Sequence, residues 1–123
     1  MILLDTNALI WLHRHDERTA PLIKGGARLY ISPASILELQ FLSEVGRVRF
    51  KRHTTLTDIV HDDCWVIDDP PSAAWFEAAV GVGWTRDPFD RLLVAHARIR
   101  RWPLATSDQR VMAQLRKGEF VEL

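Results

Sequence analysis

Three times in this chain a short, unbroken apolar run leads straight into residues that suit a helix start. Ile2-Leu3-Leu4 meets Asp5, Leu29-Tyr30-Ile31 meets Ser32-Pro33, and Leu104-Ala105 meets Thr106-Ser107-Asp108. A run that is apolar throughout, without alternation, is what a strand buried on both faces requires. Parallel neighbours need a crossover, and crossover helices cover the faces, so strand followed by helix, repeated, commits the chain to a parallel sheet between two helical layers. Cys64-Trp65-Val66-Ile67 and the terminal Phe120-Val121-Glu122-Leu123 are further strand candidates, which makes the expected sheet four- to five-stranded.

The connecting segments read as helices with identifiable ends. Ala8 to Leu12 supplies one apolar face, and a segment from Thr19 or Ala20 with Pro21 in its first turn stops at Gly25-Gly26. Ser32-Pro33 opens a helix through Glu38 to Val45, ended by Gly46. Thr55 to His61, Ser72 to Val80, a helix beginning at Pro88, and a last one from Asp108 through Leu115 complete the set. Asp68-Asp69 before Pro70-Pro71 read as turn or cap residues. His96, on the apolar face of the Pro88 helix, reads as a hydrogen-bonded core residue. Arg47-Val48-Arg49-Phe50-Lys51-Arg52-His53 reads as a solvated loop or hairpin, with RNA-backbone contact as the sharper alternative.

Acids recur where this architecture collects ligands. In an open parallel sheet the crevice lies beyond the carboxyl ends of the strands. Asp5 and Asp108 follow strands directly, while Glu38 and Asp90 lie in early turns of helices at the same rim. Asp87 has its own local explanation as the N-cap before Pro88, with Asp90 completing a capping-box-like arrangement. Four carboxylates in one crevice repel one another, so their convergence calls for a cation at the centre. An oxygen-only donor set favours Mg²⁺ or Mn²⁺ over Zn²⁺. Such a site suits phosphodiester hydrolysis.

Composition narrows the partners. Sixteen Lys and Arg balance sixteen Asp and Glu, so any anionic partner must be met by a local patch rather than by overall charge. Thirteen of the cations are Arg, Lys24, Lys51 and Lys117 being the rest, and the guanidinium fork grips phosphate bidentately. The single cysteine, Cys64, fits a reducing compartment and is expected to be a buried, inert thiol. With no apolar run near the roughly 20 residues of a membrane span and no signal-peptide pattern, a cytoplasmic protein with a single domain over 1–123 is expected.

Four motifs in order carry a family resemblance: Asp5-Thr6-Asn7, Ser35-Ile36-Leu37-Glu38-Leu39, Arg86-Asp87-Pro88-Phe89-Asp90-Arg91-Leu92-Leu93-Val94-Ala95, and Thr106-Ser107-Asp108. Together they resemble the PIN-domain ribonucleases, specifically the VapC toxins of bacterial type II toxin–antitoxin pairs. The resemblance implies a Rossmann-like α/β three-layer sandwich and Mg²⁺- or Mn²⁺-dependent endoribonuclease activity. It also implies an RNA substrate, a homodimer, and a cognate VapB-like antitoxin. Carried over by position, Asp5, Glu38, Asp90 and Asp108 match the catalytic and metal-binding quartet, with Asn7, Asp87 and Thr106 as supporting residues. Trp11, Phe41 and Leu42 are candidates for lining the antitoxin groove. One departure stands out: the loop Gly81-Val82-Gly83-Trp84-Thr85 offers no basic residue before Arg86, which leaves it without an assigned role toward substrate.

Rival readings fail on residues. A haloacid-dehalogenase-like phosphatase needs a second Asp where Asn7 stands. A receiver domain needs paired acids and a suitably placed late lysine. No GxxxxGK or GxSxG motif is present. The alternatives that survive are a PIN-like nuclease of RNA processing without an antitoxin and a PIN-like scaffold that binds RNA or protein without cutting.

Overall fold

The computed structural model describes residues 1–123. Its centre is β1 (Ile2–Leu4), which pairs in parallel with β2 (Leu29–Ile31) on one side and β4 (Leu104–Thr106) on the other. β3 (Val66–Ile67) and β5 (Phe120–Glu122) are the edges, giving a five-stranded, all-parallel sheet in the order β3-β2-β1-β4-β5. Leu3, Leu4, Ile31 and Ala105 are at most marginally exposed, so the unbroken apolar runs are buried on both faces as the sequence requires.

Successive residues of β1 point to opposite faces, and each face has its own core. Leu4 belongs to a cluster built with Leu9 and Leu12 of α1 (Thr6–His13), Leu22 of α2 (Ala20–Gly25), Leu39 of α3 (Pro33–Glu44), and Ile59 and Val60 of α4 (Leu56–Val60). Leu3 and Leu104 pack on the other face with Trp75 and Ala79 of α5 (Ser72–Val80), Val94 and Ala97 of α6 (Pro88–Arg100), and Val111 of α7 (Gln109–Met112). Fully burying one such leucine contributes roughly 1.5–3 kcal/mol. The result is the expected three-layer sandwich, with α1 after β1 on one face and α7 after β4 on the other. Between β1 and β4, therefore, the winding reverses, and a crevice opens at their carboxyl ends.

Several local expectations are corrected. β3 is shorter than Cys64–Ile67, and Cys64 is exposed rather than buried. The chain before β3 turns on Asp62, whose carboxylate accepts the Cys64 N–H at 2.8 Å, and it is Trp65 that turns inward. Asp68 caps nothing. Its Oδ2 accepts from His96 Nε2 and from Arg100 Nε, each at 2.7 Å, clamping α6 to the end of β3. The last helix ends at Met112 rather than Leu115. The capping-box-like arrangement at α6 is half formed: Asp87 Oδ1 accepts from the N–H groups of Phe89 and Asp90, and the Asp90 side chain stays out of the cap.

Candidate active site

Each expected acid reaches the rim by a different route. Asp5 follows β1 and is the N-cap of α1, its Oδ1 accepting the Ala8 N–H at 2.7 Å. Asp108 follows β4 and caps α7, its Oδ1 accepting from Arg110 and Val111. Glu38 lies in the second turn of α3, and Asp90 in the first turn of α6. Together with Asp87 these side chains line one cleft of about 490 Å³ at the β1–β4 crevice. Asn7 and Thr106 line it as well, so all seven residues singled out in the sequence meet there.

The electrostatics are those of charges crowded together. Burial pushes the Asp5 carboxyl up to about 6, with Asp108 adding to the rise; hydrogen bonds from Thr106 and the Ala8 N–H oppose it. Glu38 is raised to about 7, first by burial and then by Asp87, Asp90 and Asp5, against a hydrogen bond from Thr6. Asp90 is raised to about 6 by burial, Asp87 and Asp108, partly offset by Arg110. Ionising all of them at neutral pH is costly unless positive charge is supplied. No group of three or more His, Cys, Asp or Glu side chains closes around a single point. The acids line the cleft as walls.

Small hydroxyls hold these walls in register. Thr106 Oγ1 accepts the Asp108 N–H at 3.0 Å and also bonds Asp5, linking the two strand-end acids. Thr6, buried beside Asp5, bonds Glu38 and lies 3.0 Å from Ser35 Oγ, tying α1 to α3. Glu38 thus takes its hydrogen bond from Thr6, while Ser35 faces Thr6. The sequence pointed to Asp5-Thr6-Asn7 as a motif without separating the role of Thr6.

The cations divide. Arg47 and Arg110 line the cleft, and Arg110 lies 3.7 Å from Asp108 Oδ2. From the basic run, Val48 and Phe50 pack on the core and the Arg49 carbonyl accepts from Arg14, so only Arg47 and Val48 reach the cleft. Leu42 lines the cleft. Phe41 is exposed and lies 5.9 Å from Phe89. Trp11 is away from it, covered by the Arg18 guanidinium at 3.9 Å.

Comparison with known proteins places this geometry. A search among curated proteins finds no match. Among solved structures, VapBC2 from Rickettsia felis bound to a promoter DNA fragment superposes with a TM-score of 0.69 at 19% identity, covering 100% of this chain and 99% of that one. A toxin–antitoxin complex from Klebsiella pneumoniae gives 0.67 at 18% identity, covering 94% and 92%. PAE2754 from Pyrobaculum aerophilum gives 0.61 at 26% identity, covering 98% and 87%. These likenesses concern the fold. The PIN domain family model matches residues 2–118, nearly the whole chain, and with the acid-lined crevice in the place that this fold provides for a ligand, the chain belongs to the PIN domain family.

Proposed function

We propose that the chain is a divalent-metal-dependent endoribonuclease acting as the toxin of a VapBC-type toxin–antitoxin module. Asp5, Glu38, Asp90 and Asp108 are its metal ligands, and Asn7, Asp87 and Thr106 support them. One observation carries the reading: carboxylates from separate segments share a cleft in which Asp5, Glu38 and Asp90 are raised to about 6, 7 and 6 with no buried cation beside them. Membership in a nuclease family supports it. The donor chemistry, all oxygen, fits Mg²⁺ or Mn²⁺. When bound there, such a cation lowers the pKa of an attacking water and offsets charge on the phosphate oxygens.

The chain's own residues do the positioning. Asp5 and Asp108 each give one oxygen to a helix cap, which fixes the direction of the second. Thr106 and Thr6 hold Asp5 and Glu38 by hydrogen bonds. Arg110 and Arg47, at the cleft wall, are placed to meet phosphate.

The partner reading rests on what the similar structures are called: toxin–antitoxin complexes, one of them on promoter DNA. We assign to this chain a cognate VapB-like antitoxin whose tail passes over Leu42 and Phe41 at the cleft. The homodimer uses the apolar face of α3. No helix is long and apolar enough to cross a membrane, which supports the cytoplasmic assignment.

The deciding experiment is incubation of purified protein with total cellular RNA and Mg²⁺ or Mn²⁺, alongside EDTA and Asp5→Asn controls. Discrete products that vanish in both controls are expected. Intact RNA, together with normal growth of cells expressing the protein alone, would shift the reading to a scaffold that binds without cutting.

A further inference from the structure

The basic run from Arg47 to His53, which the sequence left between two readings, is held in place by its surroundings. Gly46 follows α3 at a φ of 77°, and the N–H groups of Arg47 and Val48 both return to the Leu42 carbonyl, at 2.9 and 3.2 Å. From there the segment belongs to no strand, yet its burial alternates: Val48 and Phe50 pack on the core, while Arg47, Arg49 and Lys51 stand exposed. Alternation of this kind puts successive cations on one side of the chain. Arg14, which follows α1, donates from Nη2 to the Arg49 carbonyl at 3.2 Å, and the Thr54 N–H donates to the Lys51 carbonyl at 2.9 Å. The run is thus tied down at its start, middle and end.

The place of this stripe matters as much as its charge. Arg47 and Val48 line the acid cleft, and Val48 is also a wall of a shallow depression formed with Arg14, Arg49, Phe50 and Lys51. The depression therefore adjoins the cleft, and no Asp or Glu lines it. None of Arg14, Arg47, Arg49, Lys51 and Arg52 is ion-paired; the cationic partners in the protein's ion pairs are His13, Arg18, His96, Arg100 and Arg110. In a chain whose charges balance overall, this is the local patch that an anionic partner requires. Phe50 packs on the core, so the stripe offers charge and hydrogen-bond donors rather than an aromatic platform for bases. Such a surface holds phosphate and is indifferent to sequence.

We infer that Arg14, Arg49 and Lys51 form a track for the phosphate backbone of the RNA strand on one side of the scissile bond, with Arg47 joining the track to the cleft. This rests on the ribonuclease reading above. The carboxylates of the cleft repel a polyanion, and the track supplies the opposite charge immediately beside them. It positions substrate and takes no part in the chemical step.

The test is the double variant Arg49→Gln/Lys51→Gln, which removes two exposed charges and leaves the core intact. Its affinity for a 2′-O-methyl RNA oligonucleotide is measured by fluorescence anisotropy over a series of KCl concentrations, with Ca²⁺, a hard cation that also takes oxygen ligands, in place of Mg²⁺. Two lost phosphate contacts lower the slope of log K against log salt by about 1.4 and weaken binding roughly tenfold at about 50 mM KCl, equally for oligonucleotides of different sequence. In cleavage assays KM rises by a similar factor while kcat stays within about twofold. Arg98→Gln/Arg101→Gln removes equal charge from exposed positions at the far end of α6 and is expected to keep the wild-type slope. An unchanged slope and affinity in the first variant would overturn the inference, as would an equal loss in both. A first variant that loses affinity for polyglutamate but not for RNA would also overturn it and assign the stripe to an acidic protein segment. If the wild type cuts no RNA the nuclease reading fails, and the salt slope in Ca²⁺ still decides whether the track binds RNA.

Discussion

At the scale of single residues, the acids that line the cleft differ in what they do for the fold. Asp5 caps α1 and Asp108 caps α7, whereas the Asp90 side chain accepts no cap hydrogen bond and sits among like charges. Asp90→Ala therefore relieves repulsion and removes nothing the helix needs. Its melting temperature in EDTA is expected to equal or exceed that of the wild type. Asp5→Ala relieves repulsion too, but it deletes a cap worth about 1 kcal/mol, and Asp5→Asn, which can still accept the Ala8 N–H, should melt several degrees above it. Equal melting temperatures for the Ala and Asn variants at position 5 would show that the cap contributes nothing. Both Asp5 variants and Asp90→Ala should lose RNA cleavage.

At the scale of elements, α6 is fixed at two points. Asp87 caps its start, and in its last turns His96 and Arg100 grip Asp68 at the end of β3. Burial draws His96 below the ordinary histidine range, more strongly than Asp68 and Asp69 draw it up; Arg100 adds to the lowering. The ring is accordingly neutral, with Nε2–H donating to Asp68 and Nδ1 bare, without a protein partner. For Asp68 burial opposes the charge, but hydrogen bonds from Arg100 and His96 outweigh it and hold the carboxyl below its usual range. A histidine whose folded pKa lies below its unfolded one contributes stability that is complete above about 6.5 and is lost as pH falls from there through the folded pKa. Asp68 follows the same sign in a lower window, losing its contribution as pH falls below 3.8. The raised carboxyls of the cleft act in the opposite direction, gaining stability on acidification, so the measurement must be a difference. Unfolding free energy from denaturant titrations, wild type minus His96→Gln, is expected to be flat from pH 8 to 7. It should fall by at most about 1.4 kcal/mol per pH unit below 6.5. A flat difference down to pH 5 would mean that His96 keeps its solution pKa. This clamp also marks the limit of what the chain's local pattern reveals. β1, β2 and β4 were legible because a doubly buried strand must be apolar throughout and a helix must be capped. Asp68 was misread as a turn acid because its partners lie 28 and 32 residues away. Cys64 was misread because a two-residue edge strand leaves no period to follow, and α7 was drawn too long because Leu115 packs on the core from beyond the helix end.

At the scale of the whole molecule, the seven candidate residues that line the cleft were legible by type and order because the fold brings strand ends together. Thr6, Arg47 and Arg110 were not, because what distinguishes each is a contact that has no counterpart in the chain's periodicity. The surface carries one more pattern visible only in three dimensions. Leu37 and Phe41 of α3 and Val45, which caps its end, lie four residues apart and are 63%, 47% and 51% exposed, an apolar stripe beside the cleft. On the proposed homodimer Leu37 and Val45 make the contact, leaving Phe41 to the antitoxin tail, so sedimentation equilibrium should give a dimer that Leu37→Glu and Val45→Glu shift to monomer. Their melting temperatures should change little, since neither side chain is in the core. A wild-type protein that stays monomeric at tens of micromolar would remove the dimer from the reading. Finally, β1 lies at the centre of the sheet and β4 and β5 arrive last, so the acid cleft joins residue 5 to residue 108. During synthesis at roughly 5–20 residues per second, β1, β2 and β3 are available to pair long before β4 is made. The wall that Asp108 and Thr106 supply arrives only with β4 and the helix that follows it. A nascent copy in which β4 has not yet been made therefore lacks half of its cleft, and the crevice cannot close around any ligand before residues 106 and 108 join it.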